Sequence, residues 1–119
     1  MKDFRQLKVW EKAHHLTLGI YKLTKNFPKE ELYGLTTQMR RSSASIAANI
    51  AEGCGRNSDA DFCRFLIIAL GSGSELEYQL LLSHDLGLIG DKDYDSLQSE
   101  LTEVKKMLNS FIHKLSAKS

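Results

Sequence analysis

Residues 91–115 read DKDYDSLQSELTEVKKMLNSFIHKL, and they place Tyr94, Leu97, Leu101, Val104, Leu108, Phe111 and Leu115 at alternating steps of three and four. That spacing keeps seven apolar side chains on one face of a helix and the polar residues on the other. Asp91 or Asp93 opens the segment, with acidic charge where the helix dipole favours it. A helix with one long apolar stripe is stable in water only against apolar partners. The rest of the chain has three of them.

Working back, Ser58 is an N-cap, followed by Asp59 and Asp61 in the first turn and by a stripe of Phe62, Leu66, Ala69, Gly73, Leu76 and Leu80. Gly87 is its stop, and Gly71 and Gly73 inside it point to close packing, since each costs about 1 kcal/mol against alanine. A second helix is expected from about Glu30 or Gly34 to about Gly53, with Leu35, Met39, Ile46 and Ile50 as core and an unusually small surface of serines and alanines. Gly53 and Gly55 are expected to stop it through a left-handed cap. The first helix carries Val9, Ala13, Leu16, Ile20, Leu23 and Phe27, and Pro28 ends it. Short connections make neighbours antiparallel. The expected fold is all-α, an antiparallel up-down-up-down four-helix bundle forming one domain over residues 1–119.

Composition supports a globular chain: 42% apolar, 26% charged, and 16 Lys plus Arg against 15 Asp plus Glu, a formal charge of +1. A globally basic, histone-like protein is excluded, though a local basic patch is not. The sequence shows no run of about 20 apolar residues suited to a membrane span. The charged start MKDFRQLKVWEKAHH lacks the apolar core of a secretory signal. Cys54 and Cys63 make neither a disulfide framework nor a zinc site and suit a reducing compartment. The expected location is cytoplasmic, with no membrane partner.

No catalytic constellation emerges. A di-iron bundle needs two Glu-x-x-His pairs, and only Glu11 with His14 qualifies. His14 and His15 point about 100° apart on a helix and cannot share a metal there. No arginine has the histidine four to six residues on that helical ribonuclease toxins use. The cysteines have no base set by spacing, and GSGS at 71–74 is no phosphate loop. The expectation is no catalytic residue, no cofactor and no metal.

Two surfaces remain. Gln38, Arg41, Ser45, Asn49 and Glu52 follow at helical steps on the second helix, with Arg40 and Glu75 as neighbours. They read as a polar layer between helices or subunits, or else as a ligand or RNA contact. Residues 1–41 hold nine basic and four acidic side chains, whereas residues 65–100 hold one and seven. In an up-down-up-down bundle the end of helix four lies beside the start of helix one. Lys105, Lys106, Lys114 and Lys118 would therefore extend the basic surface of Arg5, Lys8 and Lys12, a solvated face or a nucleic-acid contact.

The run FPKEELYGL at 27–35, QMRR at 38–41 and SIAANIAEG at 45–53 resembles the four-helix bundle proteins first named as 23S rRNA intervening-sequence proteins. Phe4, Leu7, Val9, Trp10 and Ala13 fit the same pattern, as do Phe65, Leu66, Ala69, Gly71, Ser72 and Glu75. The resemblance covers about residues 4–115. It implies a ring-like homopentamer, no known catalytic residue, and genes found inside insertions of the large ribosomal RNA gene or standing free. The label "S23 ribosomal protein" attached to such chains is not evidence of a place in the ribosome. The accessory protein of diversity-generating retroelements is similar in fold, a basic pentamer that engages nucleic acid and a reverse transcriptase. This chain departs from that relative in being nearly neutral. The reading is a non-catalytic homo-oligomeric bundle that binds RNA or other nucleic acid weakly, with a protein-only adaptor ring as the alternative.

Overall fold

The computed structural model describes residues 3–118, with side chains to residue 117. Four helices, α1 (Lys8–Thr24), α2 (Thr37–Cys54), α3 (Asp59–Asp85) and α4 (Asp91–Lys118), each pack on the next, and α4 closes on α1. No strand occurs among the described residues, and the bundle measures 45 × 22 × 20 Å. The four stripes meet on its axis, where Leu16, Ile20, Met39, Ile46, Ile50, Leu66, Leu76, Leu80, Leu101, Val104 and Leu108 are all fully buried. The fold is an all-α antiparallel four-helix bundle.

The helix ends depart from the expected ones in instructive ways. α1 stops at Thr24, ahead of Pro28, because the backbone tightens: Asn26 and Phe27 donate to the carbonyls of Leu23 and Thr24, which turns Phe27 into the core. α2 begins only at Thr37, after a 3₁₀ turn over Lys29–Glu31 and a wide turn over Leu32–Thr36 that is kinked at Gly34. The Glu31 carboxylate accepts the Leu35 N–H at 3.2 Å, and it lies 2.9 Å from where a Cβ on Gly34 would sit. Gly53 is no stop. It lies inside α2, and the helix runs on to Cys54 before Gly55, whose φ of −86° is not left-handed. Gly87, with φ of 78°, is the left-handed cap: Leu88 N–H reaches the Ser83 carbonyl and Gly87 N–H that of His84, closing α3 in a Schellman motif. Ser58 caps α3 as expected, accepting from Asp61 N–H at 3.1 Å.

α3 differs in kind from the other helices. It is long and apolar enough, by length and composition, to cross a membrane, which corrects the reading that no stretch is. One face of that apolarity fills the bundle core. The other faces outward, with Ile67 55% and Tyr78 61% exposed.

At the α3–α4 junction His84 Nε2 lies 2.6 Å from the Asp91 carboxylate, and its ring stacks on Tyr94 at 4.3 Å. The hydrogen bond to Asp91 raises the His84 pKa; burial opposes this, and the nearby charges of Asp91 and Asp85 add to the rise. The protonated ring is thus held better in the folded state than in the unfolded one. Its contribution is complete below the ordinary histidine pKa and disappears as pH rises through the raised value. Thermal melts across roughly pH 5 to 8 should show stability declining toward the alkaline end. His84→Gln should flatten that decline, and an unchanged profile would refute the assignment.

Candidate interaction surfaces

The basic residues of α1 and α4 come together only in part. Lys8 and Lys114 line one groove of about 310 Å³ with Leu7, Met107 and Phe111. Lys106 lies nearby along α4, beside Glu103 on a shallow face. None of these three lysines makes an ion pair among the described residues. The other members are neutralised at short range. Arg5 pairs with Asp3 at 3.2 Å and lies over the Phe4 ring, and Lys12 pairs with Glu103 at 2.9 Å. Lys105 turns away from α1 altogether and reaches Glu77 of α3 at 2.7 Å, its stem crossing the face of α3 at Gly73. Lys105 therefore does not extend the α1 surface. The side chain of Lys118 lies outside the described residues. His15, on the same flank, meets Glu100 at 3.0 Å.

Charge counting overlooked these carboxylates because the α4 stripe that buries Leu101 and Val104 also aims Glu100 and Glu103 at α1. Exposed pairs of this kind each stabilise the fold by at most about 1 kcal/mol. Their larger effect is on potential, since a lysine already beside a carboxylate attracts a phosphate less.

The polar stripe of α2 divides into an inner and an outer part. Ser45 sits in the seam with α3, its Oγ 2.9 Å from Ser72 Oγ, and Asn49, half-buried one turn on, donates to the Ser45 carbonyl at 2.8 Å. Glu75 accepts from Ser42 at 3.1 Å across the same seam. Arg40 bridges to α1, donating to Thr24 Oγ1 at 2.9 Å with its guanidinium 4.8 Å above the Tyr21 ring. Gln38, Arg41 and Glu52 are exposed, and Glu52 pairs with Arg56 one turn on, at 2.8 Å. Ser42, Ser72 and Thr24 belong to this network although helical spacing along one helix did not single them out.

Among the described residues no three His, Cys, Asp or Glu side chains cluster to hold a metal. His14 stacks on Trp10 at 4.9 Å, and Trp10 itself is half-buried with its edge against Phe4. Cys54 and Cys63 are buried and not in a disulfide.

Comparison with known proteins agrees with this architecture. The family model of the 23S rRNA-intervening sequence proteins matches residues 5–110. A search of curated proteins finds no match. The crystal structure of a protein of unknown function from the S23 ribosomal protein family of Bacteroides thetaiotaomicron is similar at a TM-score of 0.82 and 35% identity, over 88% of this chain and 95% of that one. A family match over most of the bundle, joined to a fold shared at that level of identity, leads to one conclusion: the chain belongs to the 23S rRNA-intervening sequence protein family.

Proposed function

We propose that the protein is a non-catalytic homo-oligomeric binding module of the cytoplasm, assembled as the ring of five that the family resemblance implies. The observation that carries this reading is the outer face of α3, where Ile67, Ile68, Tyr78 and Leu81 are exposed beside a core that is already complete. A 119-residue bundle has little apolar surface to spare, and a row of large apolar side chains on one exposed helix face marks an interface.

A second reading, nucleic-acid association, has Lys8, Lys106 and Lys114 in its favour, since they make no ion pair among the described residues. Three cations per protomer are weak alone, and repetition around an assembly multiplies them. With Arg5, Lys12 and Lys105 held by carboxylates, binding is expected to be weak and sequence-independent. Affinity should fall with salt at a log–log slope of about −0.7 per phosphate contact on a single strand.

Sedimentation equilibrium at micromolar concentration tests the first reading: a species several times the 13.4 kDa protomer is expected, and a monomer would refute it. In the same samples, wild type should bind structured RNA at low salt and Lys8→Glu/Lys114→Glu should not. Equal binding by both would clear this groove, and no binding by either would leave a protein-only adaptor.

A further inference from the structure

We infer that the groove between the start of α1 and the end of α4 takes an unpaired base of a single strand, with its flanking phosphates on Lys8 and Lys114. The inference rests on the nucleic-acid reading above and names the form of nucleic acid that this groove selects.

Two contacts fix how α1 and α4 lie against each other. Lys12 meets Glu103 at 2.9 Å and His15 meets Glu100 at 3.0 Å, so three residues on along α1 are three residues back along α4. Continued by four residues the other way, that register sets Lys8 opposite Met107. Lys114 stands seven residues further along α4, about 10 Å at the helical rise per residue. Between the two cations the groove, of about 310 Å³, is floored by half-buried Leu7, Met107 and Phe111. The Phe111 ring is held by an edge contact with Phe62 at 5.1 Å. No carboxylate lines this stretch, whereas the neighbouring stretch of the seam has Glu11, Glu100 and Glu103. The same seam therefore changes from a polar, charge-paired stretch to an apolar one bounded by two lysines that make no ion pair among the described residues.

The order along the groove is cation, apolar surface, cation, and that order decides the occupant. A single-chain amphiphile has one charged end and would leave one lysine without a partner. A duplex presents phosphates but keeps its bases in the stack, where only unpairing releases them. A single strand repeats anion, flat apolar face, anion, and its base faces are free to stack on apolar and aromatic side chains. Ser110, exposed at the rim, adds a hydroxyl that can donate to or accept from a base edge or a ribose. Every base has such a face, so the preference is for unpaired strands and not for a sequence. Structured RNA would enter through its loops and bulges, where bases are unstacked.

Fluorescence anisotropy at low salt compares three labelled probes of one length: oligouridylate, the same sugar–phosphate strand without bases, and the oligouridylate annealed to oligoadenylate. Wild type should bind the oligouridylate about tenfold more tightly than either of the others. Met107→Gln should lose that preference, binding the oligouridylate and the baseless strand alike with an unchanged salt slope. Leu7→Gln, on the opposite wall, repeats the measurement if Met107→Gln loses helical circular dichroism. Lys8→Glu/Lys114→Glu should lose binding to all three probes. Wild type binding all three equally, or a folded floor variant keeping the preference, overturns base insertion while nucleic-acid association stands. A preference that survives Lys8→Glu/Lys114→Glu puts the base elsewhere and overturns the assignment to this groove. No binding to any probe overturns the nucleic-acid reading and this inference with it.

Discussion

Leu101→Ala should lower the stability of the bundle by roughly 2–5 kcal/mol, as large-to-small changes at filled core positions do. Leu101 is fully buried on the α4 stripe, and its Cδ1 lies 3.6 Å from where a Cβ on Gly73 would stand. The leucine thus fills the space that the glycine leaves open on α3. Truncating it removes apolar contact and opens a cavity on the seam between the two longest helices. Urea titration at fixed protein concentration measures this as a lower midpoint with an unchanged slope. A loss below about 1 kcal/mol, within the ordinary run of single substitutions, would show that the α3–α4 seam is not closed as described.

Gly53→Ala should destabilise even though alanine is the better helix former by about 1 kcal/mol. A Cβ at Gly53 would lie 2.8 Å from Phe65 Cβ, 2.9 Å from Phe62 Cδ1 and 3.3 Å from the Phe62 carbonyl oxygen. All three belong to the start of α3, and Phe65 Cβ and the Phe62 carbonyl cannot rotate away, so the helices must separate. Overpacking of this kind costs about 1–3 kcal/mol and outweighs the propensity gain. Gly55→Ala is the internal control: its nearest neighbour is the Glu52 carbonyl at an ordinary 3.5 Å, and its φ of −86° suits any residue. That variant should stay within about 0.5 kcal/mol of wild type. Equal melting of the two variants would remove the close approach of α2 and α3 as the reason for the glycine.

The surface electrostatics carry a related lesson for function. Segregation of charge along the chain, basic before residue 42 and acidic between 65 and 100, is partly cancelled on folding: Glu77 of α3 pairs with Lys105 at 2.7 Å, and Asp85 lies 3.7 Å from the His84 ring. The same segregation does not survive where α1 meets α4, because Glu100 and Glu103 stand against His15 and Lys12. A phosphate backbone would therefore meet fewer unpaired cations at this seam than the chain's charge pattern suggests.

By itself the sequence determined the helices and their inward faces. Local periodicity and capping sufficed: Leu97 through Leu115 on α4, the Ser58 cap and the Gly87 stop all act within one or two turns of their own chain. Burial then follows, because an amphipathic stripe leaves water in only one direction. What the tertiary structure alone decided are the matters that depend on a neighbour distant in sequence. Gly53 and Gly55 look alike in the chain, yet only the first touches α3. Lys12 and Lys105 read as one basic surface, yet each has a carboxylate from a different helix at under 3 Å. Ser42, Ser45 and Ser72 became a hydrogen-bonded seam only once α2 and α3 were set side by side. Side-chain periodicity specifies a direction on one helix, but contact and charge pairing also need the rotation and height of the second helix, which packing supplies.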